Sequence, residues 1–112
     1  PHWFTPAYAD YAGRERALPI DQHALLALIA PRAVLLGGAW RDTWSDPAGA
    51  YRAAEGASRA WSLYGEVGLV QARMADFQPS GGIANHIRPG LHGVTDEDWR
   101  AFLQFMDAHT VP

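Results

Sequence analysis

Asn85–Thr95 reads NHIRPGLHGVT, with two His, one Arg, one Pro and two Gly in eleven residues. Ile83 and Ala84 lead into it, and a well-signalled helix follows. An extended run that stops at a Pro-Gly break, presents a His and then enters a helix is one way to hold a general base on a rigid frame. The pattern predicts a strand over Gly82–Arg88, ended by Pro89-Gly90, and makes His92 the candidate base.

Upstream, AVLLGG at 33–38 is a continuous apolar run behind a Pro-Arg break. It is too short for a helix and shows no alternation, so it predicts a strand buried on both faces, as in a parallel sheet. The GGAWRDTWSDP loop then leaves the carboxyl end of that strand, where open α/β sheets place ligands. Asp42 lies in this loop and His92 lies just past the next strand, fifty residues on. In a parallel sheet those two loops are neighbours. A carboxylate there can hold an imidazole in one tautomer and stabilise its cation, so that the second ring nitrogen takes a proton from a nucleophile.

The helices follow from caps and stripes. DQHALLALIA at 21–30 starts at an N-cap Asp21, has little polar face and ends before Pro31, so a short and mostly buried helix is expected. Asp46-Pro47 opens a helix over 47–62 with Asp46 as N-cap and with Tyr51, Ala54, Ser58 and Trp61 along one stripe. Thr95 begins the last helix, where TDED supplies a capping box and Trp99, Phe102, Leu103 and Met106 form the expected apolar stripe. Residues 1–20 are aromatic and aperiodic and read as a packed loop, with Trp3 and Phe4 as core cover or pocket lining. Residues 65–82 are weakly patterned; Leu69, Val70, Met74 and Phe77 allow one short helical or irregular turn before the QPSGG loop. The order helix–strand–helix–loop–strand–helix predicts an α/β fold with parallel strands and right-handed crossovers.

The chain has 112 residues, room for one domain. Its net charge of −3 comes without an acidic or basic block, which points away from nucleic acid and anionic membrane surfaces. All nine cationic side chains are Arg, and the absence of Cys excludes thiolate and disulfide chemistry. No apolar run reaches membrane-spanning length. Two strands make a poor sheet, and the chain opens at Pro1 on residues that read as protein interior. We therefore expect residues 1–112 to be a partial domain, the acid and histidine half, with an N-terminal part missing.

Other roles weigh less. His86, His92 and Asp42 lack the helical spacing and the further ligands of a metal site, so no metal is expected. His86 reads as a strand residue that orients its neighbours, and His23 as a structural hydrogen-bonder. Arg88 reads as the partner of a loop carboxylate, Asp42 or Asp46, ahead of a substrate contact. Trp40 and Trp61 read as core, and His109 as solvated. Trp3, Trp40 and Trp44 could instead form the stacking platform of a non-enzymatic carbohydrate-binding module, though the helical signals argue against one.

HWF at 2–4, LPIDQHALLALIAPRAVLL at 18–36, DTWSDPAG at 42–49 and HIRPGLHGVTDEDWRAFLQFMD at 86–107 together resemble the C-terminal portion of carbohydrate esterase family 15, the glucuronoyl esterases. The resemblance implies the C-terminal part of an α/β-hydrolase three-layer sandwich. It implies a serine-type carboxylic-ester hydrolase that needs no cofactor and cleaves the ester between lignin alcohols and 4-O-methyl-glucuronic acid on xylan. By position it implies His92 as the catalytic histidine, Asp42 as an acid used by many members, and Trp44 as the indole beside the glucuronoyl group. Some members place the acid on an earlier strand, so Asp42 is sole acid, one of two, or a support. The family's nucleophilic Ser, its oxyanion Arg and its sugar-binding Lys have no counterpart in this chain; no G-x-S-x-G and no Lys occur. The family also implies a secreted or periplasmic enzyme. Another esterase or peptidase of the same fold remains the alternative.

Overall fold

The computed structural model describes residues 4–110. Two strands of six residues, β1 (Val34–Ala39) and β2 (Ile83–Arg88), pair in parallel with Val34 opposite Ile83 and Ala39 opposite Arg88. Both start one residue later than the sequence suggests. Four helices surround them: α1 (Gln22–Ala27), α2 (Pro47–Ala57), α3 (Arg59–Ser62) and α4 (Asp96–His109).

Two adjacent glycines reveal the layering. A Cβ on Gly37 would lie 3.2 Å from the Phe102 ring of α4, whereas one on Gly38 would lie 3.7 Å from Pro47 of α2. Successive strand residues point to opposite faces, so α4 covers one face of the sheet and α2 the other. The α2 face holds the main core of Ala54, Ala57, Trp61 and Ile83, with Val34 and Leu36 packed against it. Trp61 is thus core, as its place in the stripe suggests.

The caps form as their sequences predict. Asp46 adopts a left-handed conformation (φ 43°) and its Oδ1 accepts the Gly49 N–H at 2.9 Å, while Asp21 Oδ1 accepts the Gln22 N–H at 2.7 Å. The expected 47–62 helix is divided at Ser58, which keeps helical angles but turns its Oγ to accept the Leu69 N–H at 2.9 Å. Residues 65–82 form an irregular strap rather than a helix. Leu69 bridges to Ile83, and the Gln71 side chain works as a substitute strand: its Oε1 accepts the Asn85 N–H at 2.7 Å and its Nε2 donates to Asn85 O at 3.1 Å. The free edge of β2 is thereby closed.

Several expectations fail in one direction. The 21–30 helix is only six residues long and none of them is buried; Leu25 and Leu28 are exposed. β1 is half-buried rather than enclosed, because no described strand flanks its outer edge. Residues 4–20 contain two short 3-10 turns with exposed Phe4 and Tyr8 instead of a packed loop. Trp3 lies outside the described residues. On α4, Trp99, Leu103 and Met106 are exposed, and Asp98, Ala101 and Phe105 face the sheet. Of the expected stripe Phe102 does meet β1 at Gly37, and the buried Asp98 has a partner on β2, described below.

Close approach at Gly82 gives a first stability prediction. A Cβ there would meet the Val67 carbonyl at 2.7 Å and Trp61 Nε1 at 2.6 Å. Backbone and a fully buried indole leave it no room, so Gly82→Ala should lower unfolding free energy by about 1–3 kcal/mol in a urea titration.

Candidate active site

The parallel ladder continues past both strand ends. Trp40 N–H donates to Arg88 O at 2.9 Å and Arg41 N–H to Gly90 O at 3.0 Å. These two bonds bring the loop after β1 alongside the loop after β2, at the carboxyl edge of the sheet. Asp42 is buried at the start of a 3-10 turn over Thr43–Ser45, and its backbone oxygen accepts from Ser45 N–H and Oγ. Opposite it, Gly90 and Gly93 take φ of 109° and 145°, values that only Gly adopts without strain, and they turn the chain so that His92 projects from the loop between them.

His92 Nδ1 and Asp42 Oδ2 are 2.8 Å apart. Hydrogen bonding from His92, and then from Ser45, holds the Asp42 carboxyl below its ordinary value, so it is ionised at neutral pH. An ionised carboxylate only accepts, so Nδ1 carries a proton, and in the neutral imidazole Nε2 is the nitrogen with the free lone pair. The Asp42 side chain is 10% exposed and the imidazole 88%, which leaves Nε2 open to a reacting group. Trp44, in the 3-10 turn, is 96% exposed.

Beneath this pair lies a buried cluster with other partners than the sequence suggests. Arg88 pairs with neither Asp42 nor Asp46. Its Nε donates to Asp98 Oδ2 at 2.6 Å, with both side chains only 5% exposed. Asp98 also accepts the Thr95 N–H at 2.7 Å and the Thr95 Oγ1–H at 3.0 Å, which completes the capping box of α4. Burial alone would raise the Asp98 carboxyl, but the bonds from Arg88 and Thr95 outweigh it and leave its pKa lowered. His86 Nε2 lies 3.4 Å from Asp98 Oδ1 without hydrogen-bond alignment, and its ring meets Phe77 edge-on at 5.4 Å. Strand alternation puts His86 and Arg88 on the α4 face together.

Three further side chains depart from expectation. Trp40 is 49% exposed rather than core. His109 is not free in solvent: its Nε2 lies 3.0 Å from Pro79 O and 3.1 Å from Gly81 O, so that nitrogen carries the proton and ties the end of α4 to the QPSGG loop. His23 packs its Cβ over Gly56 and makes no side-chain hydrogen bond among the described residues. Asp98 and Gln71 escape the sequence reading, since Asp98 shows only a capping signal and Gln71 none.

The family model described as glucuronyl esterase, fungi, matches residues 1–65, more than half of the chain. A carbohydrate esterase from an unknown prokaryotic organism is 41% identical over 111 residues, covering 97% of this chain and 26% of that protein. Among solved structures, a promiscuous family 15 esterase from a marine bacterial metagenome superposes with a TM-score of 0.89 at 41% identity, over 98% of this chain and 28% of its own. A glucuronoyl esterase from Solibacter usitatus gives a TM-score of 0.83, also at 41% identity, over 96% of this chain and 28% of its own. The chain thus spans about a quarter of the length of these relatives. Its two parallel strands and flanking helices are the C-terminal layers of their α/β-hydrolase fold. By the family model, and by sequence and structural likeness along nearly its whole length, this chain belongs to the glucuronyl esterases of carbohydrate esterase family 15.

Proposed function

We propose that the protein supplies the acid and histidine of a serine-type carboxylic-ester hydrolase acting on esters of 4-O-methyl-glucuronic acid in glucuronoxylan–lignin. The observation that carries this reading is the 2.8 Å contact between His92 Nδ1 and Asp42 Oδ2 at the carboxyl edge of a parallel sheet. A serine from a segment outside residues 1–112 attacks the ester carbonyl carbon while His92 Nε2 takes the hydroxyl proton. Asp42 holds the ring and stabilises the imidazolium; it does not take the proton itself. The tetrahedral intermediate collapses, His92 returns the proton to the leaving alkoxide, and an alcohol departs. Water then attacks the acyl-enzyme by the same route, giving the free uronic acid and the regenerated serine. Every step is proton transfer or acyl transfer, so the reaction calls for neither metal nor organic cofactor. Lignocellulose lies outside cells, and we take the enzyme to be exported.

Trp44 offers a flat apolar face and an N–H donor to the sugar ring. Trp44→Ala should raise KM for a benzyl glucuronate ester by about 10-fold with kcat nearly unchanged, the mark of lost ground-state binding. It should leave hydrolysis of benzyl acetate unaffected. Turnover of the two esters by the unmodified enzyme tests the substrate class: equal kcat/KM on both would overturn the uronate assignment in favour of a general esterase of the same fold.

A further inference from the structure

The Arg88 guanidinium is positioned to shape the loop that carries His92. Its Nη1 donates to Pro89 O at 3.0 Å, and its Nη2 donates to Leu91 O at 3.2 Å and to Gly93 O at 2.5 Å. The two carbonyls bonded by Nη2 belong to the residues on either side of His92. The remaining edge of the guanidinium is fixed by Asp98, which is itself locked into the capping box of α4. At Gly90 a Cβ would come within 3.0 Å of Nη1, so the loop is wrapped tightly on this one side chain.

We infer that Arg88 is a positioning residue: by gripping the backbone on both sides of His92 and anchoring it to Asp98 at the start of α4, it sets the approach of His92 to Asp42. This rests on the esterase reading above for its catalytic consequence, and on the contacts alone for its structural one. A planar fork with five N–H donors can serve three carbonyls and a carboxylate at once, and few other side chains can. Without this side chain the carbonyls of Pro89, Leu91 and Gly93, which point inward at Arg88, would lose these donors. Lys keeps the charge but offers a single nitrogen, so it can satisfy the carboxylate or the loop and not both.

The test is Arg88→Lys, read in two ways. In the full-length enzyme, kcat on benzyl glucuronate ester should fall about 10- to 100-fold with KM little changed, because a displacement near 1 Å at a reacting group can cost that much. By 13C NMR of labelled Asp side chains, the Asp42 carboxyl should titrate higher, back toward the ordinary carboxylate range, since its hydrogen bond from His92 is what lowers it. Arg88→Lys introduced into Asp42→Asn should add little further loss, as residues acting through one pair are not additive. A folded Arg88→Lys protein with an unchanged Asp42 titration would overturn the inference, whatever its kcat. If Arg88→Lys does not fold, 15N NMR of the unmodified protein decides. Separate, slowly rotating Nη resonances for Arg88 support the grip, and averaged ones refute it. The carboxyl titration reports on Arg88 even where no ester is turned over, so a failed esterase assignment is not mistaken for a failed Arg88.

Discussion

His92→Ala is expected to lower kcat on a uronate ester by on the order of 10⁴- to 10⁶-fold while leaving KM close to its original value. The expectation comes from geometry. Asp42 holds Nδ1 at 2.8 Å, and Nε2 is the only ring nitrogen left to move a proton. On the proposed mechanism, alanine removes both the base that activates the nucleophile and the acid that protonates the leaving alcohol. What remains is substrate binding and whatever oxyanion stabilisation the rest of the enzyme supplies, which preserves a residual rate. Asp42→Asn should cost less, about 10²- to 10⁴-fold, since it removes the stabilising charge and disturbs the tautomer but leaves the imidazole in place. Single-turnover rates of alcohol release are the appropriate measurement, because they isolate the acylation step. A His92→Ala enzyme within tenfold of the original would remove His92 from the mechanism, and the Asp42–His92 contact would then be a structural tie.

Asp98→Ala is expected to destabilise the fold by about 3–5 kcal/mol, the usual cost of deleting one member of a buried ion pair. The Arg88 side chain is 5% exposed and would keep its charge without its carboxylate. The Thr95 N–H would lose its cap as well. Three loop carbonyls still receive Arg88, which should hold the loss to this range. Since whole domains are stable by only about 5–15 kcal/mol, the variant should sit near its unfolding transition, visible as a large fall in urea midpoint.

The same pair contributes to stability in acid. The Asp98 carboxyl is lowered from its ordinary value of 3.8, so the unfolded chain binds its proton at higher pH than the folded chain. Its contribution is complete above that ordinary value and is lost as pH falls through the folded one. Stability should therefore fall below about pH 4, and Asp98→Asn, which cannot ionise, should show a flatter profile there. His86 faces the other Asp98 oxygen from β2, so the comparison is cleanest as a difference between the two proteins over that acid window.

Much of this organisation is legible in the sequence. The parallel pairing followed from one continuous apolar run and one run stopped at Pro89-Gly90. The starts of α2 and α4 followed from Asp46-Pro47 and from TDED. Asp42 and His92 could be put at one sheet edge because each follows a strand and parallel strands bring such loops together. Each of these signals is local, carried by a few adjacent residues whose backbone preferences do not depend on the rest of the chain.

Other features depended on what packs against what. The apolar stripe of α4 is present in the sequence, yet of its four residues only Phe102 meets the sheet, while Trp99, Leu103 and Met106 are exposed and Asp98, Ala101 and Phe105 are buried. The sequence argument offers Arg88 two loop carboxylates, Asp42 and Asp46, and the fold gives it neither: its partner is Asp98 of α4, ten residues on, which also lies beside His86. Gln71 closes the edge of β2 across fourteen residues with no pattern to announce it. The sequence by itself determined the caps, the strand pair and the meeting of Asp42 with His92, since short-range backbone preferences and apolar runs suffice for those. Only the tertiary structure decided which helix faces are covered and which carboxylate Arg88 takes, because a buried charge selects its partner by distance in space, and distance in space is set by the whole of the packing.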